Sequence, residues 1–487
     1  MKFSFGNARF WEVFLLWGVF ASAVISNAIY NLFFFLCFFY AAQCLVKKQG
    51  YRPFSNLREG KFLLPFLLLW VGIFSSTFFA WWKGSFLHDP SAPFEILRAK
   101  IQYPFWFLWF FLFFLKKDIA LGIKILFLFL FLQAGLGISQ YYGWWGEDLQ
   151  LFLFGENAWI LHPIPKTNAV RYEAVGTTGF HLYFAQQMVL GFFPFLCVGT
   201  DFLGKGKKKF LFWGVGVFIF LLALLFSFAR SFWLALLFTV PVFLFFFFKN
   251  YFPAKKENFF LFFAKGRGIL FLLFFFGIFA SGFFWIKNKS ELLENPLLKR
   301  FVSSFSFVEN QDRYWMWKAG LSTLKQSPIF GFGKGNVEVL KEEYNQISLQ
   351  TGHIFYNKAE VGVHNFYLQT WLEFGIFGLV GMVWLLVFPL WRSFSFFLLP
   401  RKGEKDKIPA PTHFSSHSFW GLPFSMRLEI GLSLSIFACL LVNFLDMLIF
   451  AGVSKNIFWI FLSLLYFLQW DRKKTENHQL QSHLSDS

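Results

Sequence analysis

The sequence predicts an all-α polytopic membrane protein with about 12 transmembrane helices and one large polar segment, on the outer side of the membrane, that contains short helices. Of its 487 residues, 56% are hydrophobic and 82 are phenylalanine. Such a chain is too apolar for a soluble fold, which must present a polar surface to water. Apolar stretches long enough to cross a hydrocarbon core of ~30 Å recur along nearly the whole length.

Twelve apolar stretches approach the length of about 20 residues that a transmembrane helix needs. In chain order, the predicted spans are residues 10–27, 29–46, 62–82, 101–115, 119–139, 179–199, 209–227, 231–248, 269–286, 365–390, 428–450 and 456–470. The predicted organisation is therefore nine helices in residues 1–286, a polar segment at 287–363, three helices in 364–470 and a polar tail at 471–487.

The distribution of basic residues predicts which loops face the cytoplasm. The formal net charge is +18 at pH 7, and Lys and Arg cluster in alternate loops, as at 47–48, 205–209, 255–256 and 472–474. Short cytoplasmic loops carry an excess of these residues, whereas long outer loops are largely exempt from the rule. Both termini and the tail are therefore predicted to be cytoplasmic and segment 287–363 to lie outside. The charge indicates topology, and no nucleic-acid partner is expected.

Within the polar segment, the sequence predicts one helix and one turn. The helix follows Asp312 and ends at Ser327-Pro328, with apolar residues recurring at helical spacing on one face: Tyr314, Trp317, Leu321 and Leu324. It either lies flat on the bilayer surface or packs only against its own loop. The stretch "PIFGFGKGN" at 328–336 lacks the Ser or Thr of a phosphate loop, so it predicts a glycine-built turn that packs against a helix end.

Ionisable residues at the predicted outer interface are the candidates for chemistry. Arg171, Arg230 and His364 all fall on this leaflet, and Asp446 lies near the outer end of the eleventh span. Arginine grips phosphate oxygens and stabilises a diphosphate leaving group, while histidine can accept a proton from a hydroxyl near neutral pH. This combination suits glycosyl transfer from a lipid diphosphate without a metal or another cofactor.

Each candidate also has a structural interpretation. Arg230 could extend its charge to the lipid headgroups from a hairpin tip, and His364 could donate a hydrogen bond to a loop carbonyl. Gly375 and Gly378 could form a close-packing face between helices. Asp446 could pair with any nearby cation.

Four motifs resemble those of one family. "HNFYLQTWLEFGIFG" fits the pattern H-[NSQ]-x9-G-x-x-G at His364, Asn365, Gly375 and Gly378. "DRYWMWKAGLSTLKQSPIFGFGKGN" resembles a D-R, W, P-x-x-G-x-G signature at Asp312, Arg313, Trp317, Pro328, Gly331 and Gly333. "SFARSFWLA" resembles an S-x-S-R-[GS] segment, with Ala229 in place of the second serine, and "RYEAVGTTGFHLYFAQ" resembles an R-x-x-x-x-G stretch. Together they resemble the O-antigen ligase and polymerase superfamily of bacterial inner-membrane glycosyltransferases.

The resemblance implies a metal-independent transferase that moves a glycan from undecaprenyl diphosphate to an acceptor hydroxyl at the periplasmic face. By motif, His364 is the catalytic base or acceptor-orienting group, and Arg230, Arg171 and Arg313 bind the diphosphate. Asp446 would support these residues from a second layer. The implied partners are the lipid-linked glycan donor, lipid A-core or another glycan or protein acceptor, and membrane lipids.

Four functions fit the sequence. O-antigen ligation in lipopolysaccharide biosynthesis is the leading interpretation because of the H-N-x9-G-x-x-G match. An O-antigen polymerase and a protein O-oligosaccharyltransferase would share the donor chemistry and differ in the acceptor. A lipid-linked sugar transporter would also suit twelve helices, but transporters place polar groups near the bilayer midplane, whereas here they crowd the outer interface.

Overall fold

The structure is a computed structural model. It describes residues 8–25, 29–37, 64–83, 119–144, 174–175, 178, 180–204, 206–251, 281, 295–303, 305–333, 338–353, 355, 362–398, 424–446 and 454–485. Within these ranges the regular structure is helical and no strand occurs. The all-α prediction is therefore confirmed for this part of the chain.

The helices are numbered here in chain order. They are α1 (Ala8–Ile25), α2 (Leu64–Trp82), α3 (Ile119–Tyr141), α4 (His181–Gly199), α5 (Lys207–Phe226), α6 (Arg230–Tyr251), α7 (Pro296–Ser303), α8 (Phe307–Leu324), α9 (Glu338–Thr351), α10 (Phe366–Leu398), α11 (Phe424–Val442) and α12 (Ser454–Ser485). Residues 29–37 are also helical, and a short 3-10 helix, Thr200–Gly204, follows α4.

Seven helices of the described residues are long and apolar enough to cross a membrane, namely α2 to α6, α10 and α11. They lie at seven of the predicted spans, and α12 contains a shorter apolar stretch, Lys455–Gln469. The predicted span at 101–115 lies outside the described residues, as does all of 269–286 except residue 281. The membrane class is thus confirmed, while the count of twelve, the segment boundaries and the sidedness of 287–363 stay predictions.

Glycines allow the closest helix contacts in the membrane core. A Cβ on Gly72 of α2 would collide with the backbone of Gly378 in α10, and one on Gly381 would collide with the backbone of Leu69. Small residues let two helix backbones approach closely, and the resulting van der Waals packing favours helix association in lipid. The contact fixes α10, and the residues at its start, against α2.

A second, smaller core joins α8, α9 and the beginning of α10. Its buried residues are Ala319, Leu324, Leu340, Tyr344, Ile347, Phe355, Val363 and Leu372. This core places α8 directly beside the N-terminal end of α10.

The structure corrects two expectations for α8. The helix begins at Phe307, before Asp312, and it packs against α10 as well as its own segment. Of the predicted apolar face, Leu324 is buried, but Tyr314 and Leu321 are 46% and 52% exposed. The contact with α10 also uses a small residue, since a Cβ on Gly320 would press against Leu368. A spacing pattern of large apolar residues does not detect such a face.

Candidate active site

Asn365 organises the start of α10. Its Oδ1 accepts a hydrogen bond of 3.0 Å from the backbone N–H of Leu368, which is the standard cap of a helix N-terminus. Its Nδ2 donates to the carbonyl of Phe444 at 3.0 Å, and the N–H of Phe366 donates to the carbonyl of Asn443 at 2.8 Å. One side chain therefore begins α10 and holds the turn that follows α11.

That turn brings Asp446 to the centre of the site. Helix α11 ends at Val442, so Asp446 lies beyond it, although the predicted span extended to residue 450. Asp446 Oδ1 is 3.1 Å from Arg313 Nη2 and 3.8 Å from His364 Nδ1. The structure thus joins three sequence candidates that come from three separate elements.

Burial differs sharply within this group. The Asp446 side chain is 3% exposed, Arg313 is 25% exposed and His364 is 46% exposed. Asp446 Oδ2 is buried and has no hydrogen-bond partner among the described residues. The carboxylate therefore depends on Arg313 for neutralisation, while the histidine ring stays accessible. At 3.8 Å the His364 contact is longer than a hydrogen bond, so the ring lies beside the carboxylate without being bonded to it.

Two non-glycine residues of the described chain have a left-handed backbone, and both lie in the motifs. His364 has φ 45° and Phe228 has φ 55°. This conformation is unfavourable for residues with a Cβ and costs on the order of 1–3 kcal/mol, so it persists only where the surrounding packing imposes it. Such residues concentrate at functional sites, which favours a role for both turns.

Arg230 begins α6 directly after the second of these turns. The hydroxyl of Ser227 donates to the carbonyl of Leu224 at 2.6 Å and accepts from the N–H of Ala229 at 3.3 Å. Arg230 Nη1 donates to Ser303 Oγ at 3.1 Å and to its carbonyl at 3.4 Å. Arg230 is therefore bound to the last residue of α7, in the segment that leads to α8 and Arg313.

Arg171 lies outside the described residues. The chain just after it is described: the N–H of Ala174 donates to the carbonyl of Phe226 at 2.8 Å. The N–H of Val175 donates to Gln140 Oε1 at 3.2 Å. The segment that follows Arg171 in sequence is thus attached to the end of α5, next to the turn before Arg230.

The glycine motifs at 328–333 and 375 form one structural unit. The N–H of Phe332 donates to the carbonyl of Leu372 at 2.7 Å, and the N–H of Ile376 donates to the carbonyl of Ile329 at 3.1 Å. Helix α10 is kinked where Gly375 adopts φ 66° and ψ −170°, and a Cβ there would collide with the carbonyl of Ile329. The kink exposes backbone groups of α10, and the loop satisfies them. This unit fixes the direction of the half-helix that begins after His364.

Pro328 and Gly331 complete that contact. The indole N–H of Trp371 donates to the carbonyl of Pro328 at 2.8 Å. Gly331 has φ 71°, and a Cβ on it would come within 2.6 Å of the Leu372 carbonyl. Gly333, with φ 74°, donates from its N–H to the Glu373 carbonyl at 3.1 Å. The predicted glycine-built turn is present, and it packs against the kink inside α10 rather than a helix end.

His353 is a polar neighbour that the motifs did not reveal. Its Nε2 lies 2.7 Å from Asp312 Oδ1, and its ring packs edge-on against Phe355 at 4.8 Å between centroids. Its sequence neighbourhood has no recognisable spacing, so nothing in the sequence would have indicated it. Asp312 and Arg313, neighbours on α8, thus each lie beside a polar side chain from another segment, His353 and Asp446. Trp317, also in the motif, is half-buried in α8.

The nearby Tyr344 strengthens the second core. Its hydroxyl donates to the carbonyl of Gly362 at 3.4 Å, and burial raises its pKa well above the usual range of tyrosine. The phenol is therefore a neutral, structural group that holds the chain just ahead of His364. No cluster of three or more His, Cys, Asp or Glu side chains with metal-binding geometry occurs within the described ranges.

Residues 215–383 match the family model described as O-Antigen ligase. The match contains Arg230, Arg313, His364 and both glycine motifs, and it confirms the superfamily that the motifs predict. This part of the chain is therefore similar to the O-antigen ligase family.

A similar protein comes from Haemophilus influenzae (strain ATCC 51907 / DSM 11121 / KW20 / Rd) and carries the description "Uncharacterized protein". The two chains are 23% identical over 190 residues, which is 39% of this chain and 45% of the relative. The chain thus spans less than half the length of that relative, which supports common ancestry of one region and leaves the activity of the whole protein to be proposed.

Proposed function

We propose that the protein transfers a glycan from undecaprenyl diphosphate to an acceptor hydroxyl at the periplasmic face of the bacterial inner membrane, and that the reaction is O-antigen ligation to lipid A-core. The observation that carries this proposal is the accessible ring of His364 beside the buried carboxylate of Asp446, which also binds Arg313. These residues combine a base with the cationic group of Arg313, and His364 and Arg313 lie within the family match.

In this reaction His364 acts on the acceptor. Its Nδ1 faces Asp446, so Nε2 is the nitrogen that takes the proton from the acceptor hydroxyl. The acceptor oxygen then forms a bond to the anomeric carbon, the bond from that carbon to the diphosphate oxygen breaks, and its electron pair leaves with the diphosphate. Asp446 stabilises the imidazolium that results. Direct in-line attack inverts the anomeric configuration.

Arginines stabilise the departing diphosphate. Arg230 and Arg171 are the proposed main contacts, and Arg313 is a third. Arg313 contacts Asp446 through Nη2, and a guanidinium has five N–H donors, so further donors remain for a phosphate oxygen. Because a diphosphate is already a good leaving group and these cations offset its charge, the proposed reaction is independent of metal ions.

The test uses a strain whose only copy of the gene carries His364→Asn. Asparagine tolerates the left-handed backbone at this residue better than alanine, so loss of the base is separated from backbone strain. Lipopolysaccharide is analysed on gels, and lipid-linked glycan is extracted in parallel. We expect unmodified core, with long polymer remaining on the lipid carrier and transfer reduced by about 10²–10⁴-fold.

His181→Ala is the matched control, because His181 begins another span, α4, and has no proposed role. It should leave the lipopolysaccharide ladder unchanged, at equal amounts of protein in the membrane. Core capped by a single repeat unit in the His364→Asn strain would indicate a polymerase. An unchanged ladder with loss of glycan from exported proteins would indicate a protein O-oligosaccharyltransferase. Full transfer by the variant would contradict the role of His364 as base.

A further inference from the structure

The loop at 328–333 lies at the depth of a membrane span. The ring of Phe330 stacks on Phe79 of α2, with 5.2 Å between ring centroids. Helix α2 is one of the candidate spans and ends at Trp82, so Phe79 lies about 4.5 Å below that end at 1.5 Å per residue. The irregular backbone of this loop is tolerated at such depth because its N–H and carbonyl groups exchange hydrogen bonds with the kink of α10.

Apolar side chains continue outward from this loop onto α8. Ile329 and Phe330 are 52% and 41% exposed, and Leu321 and Tyr314 are exposed to a similar extent. At the adjoining end of α2, Trp81 and Trp82 are exposed as well, at 60% and 75%. Aromatic residues are enriched where a span meets the lipid headgroups, so the end of α2 marks that level.

Two lysines complete the exposed face of α8. Tyr314, Lys318, Leu321 and Lys325 are exposed and follow one another at i, i+4, i+7 and i+11, which is one face of a helix. Lys318 Nζ also lies 5.0 Å from the centroid of the Trp315 ring. An exposed helix face that mixes apolar and cationic side chains is typical of helices that lie in the plane of a membrane interface.

We infer that this surface, formed by Tyr314, Lys318, Leu321, Lys325, Ile329 and Phe330 and called here the interfacial face, binds the leaflet next to the active site. Its apolar side chains enter the region between headgroups and acyl chains, and its lysines bind the anionic headgroups of phospholipids. The inference rests on the depth of Phe330 and on the exposure of the face, so it holds whichever reaction the site performs.

The depth of the interfacial face is measured first. Single cysteines are placed at Leu321 and Ile329 in full-length protein whose four natural cysteines are replaced, labelled with an environment-sensitive fluorophore and reconstituted in phosphatidylcholine nanodiscs. Leu349, which is 87% exposed on α9, is the control. We expect quenching by nitroxide-labelled lipid at 321 and 329 and by aqueous iodide at 349. Quenching by iodide at all three labelled positions would overturn the inference. Shielding of positions 321 and 329 from both quenchers would also overturn it, because a protein partner would then cover the face.

The lysines are tested by energy transfer from the label at residue 321 to fluorescent phosphatidylglycerol. Enrichment of this lipid should fall about fivefold for each lysine removed by Lys318→Gln or Lys325→Gln, and it should weaken at high salt. Lys341→Gln, an exposed lysine on α9, is the matched control and should leave the enrichment unchanged. Equal enrichment in all variants would exclude headgroup binding by these lysines.

Discussion

Removing Arg313 should destabilise the protein more than removing the charge of its partner Asp446. The two side chains are joined at 3.1 Å, but Asp446 is 3% exposed and Arg313 is 25% exposed. In Arg313→Gln, the buried carboxylate loses its cation, and its Oδ2 already has no hydrogen-bond partner within the described structure. In Asp446→Asn, the guanidinium can turn toward water.

The magnitudes follow from burial. Loss of one partner of a buried ion pair costs about 3–5 kcal/mol, so we expect about 3 kcal/mol for Arg313→Gln. A hydrogen bond to a charged group contributes about 1.5–3 kcal/mol, and Asp446→Asn retains an acceptor oxygen, so we expect about 1 kcal/mol. The double variant has no buried unpaired charge and should resemble Asp446→Asn.

The assay is the free energy of unfolding of the purified protein in mixed micelles with increasing sodium dodecyl sulfate. A double-mutant cycle with Arg313→Gln, Asp446→Asn and both changes gives the coupling between the side chains. If the double variant lost as much free energy of unfolding as the two single variants together, the two side chains would not interact and the ion pair would contribute nothing. If the two single variants lost the same free energy of unfolding, Asp446 would not be the partner whose burial makes it depend on the ion pair.

Two further predictions concern backbone geometry. Gly375→Ala should lower the free energy of unfolding by more than about 3 kcal/mol, because its Cβ would collide with the Ile329 carbonyl and its φ is 66°. Gly135→Ala, in open space, is the control in the same micelle assay. A similar loss in both variants would contradict the close contact between Gly375 and Ile329. Asn365→Ala should lower the free energy of unfolding by about 1 kcal/mol through loss of the α10 cap. Asn365→Asp should lower it less, because it keeps the cap acceptor. Equal losses of free energy in the two variants would show that the hydrogen bond from Asn365 to the Phe444 carbonyl contributes more than the cap.

The sequence was sufficient for the membrane class and for most helix locations. A span is recognised by its own length and apolarity, which is a local property, so α2 to α6, α10 and α11 lie where the predicted spans placed them. The family was also recognised from the sequence, because the motif around His364 is contiguous in the chain. The face of α8 was predicted wrongly in part, since Tyr314 and Leu321 are exposed and the contact with α10 also uses Ala319 and Gly320.

The arrangement of the candidate site was not accessible from the sequence. Arg313 and Asp446 are separated by 133 residues, and they meet because Asn365 ties the turn after α11 to the start of α10. The contact of the loop at Ile329 with the kink at Gly375, and the contact of His353 with Asp312, likewise join separate parts of the chain. Local composition was enough to predict the membrane environment, most of the helices and the available chemical groups. Which of these groups come into contact depends on helix packing, which brings together residues that no local pattern relates.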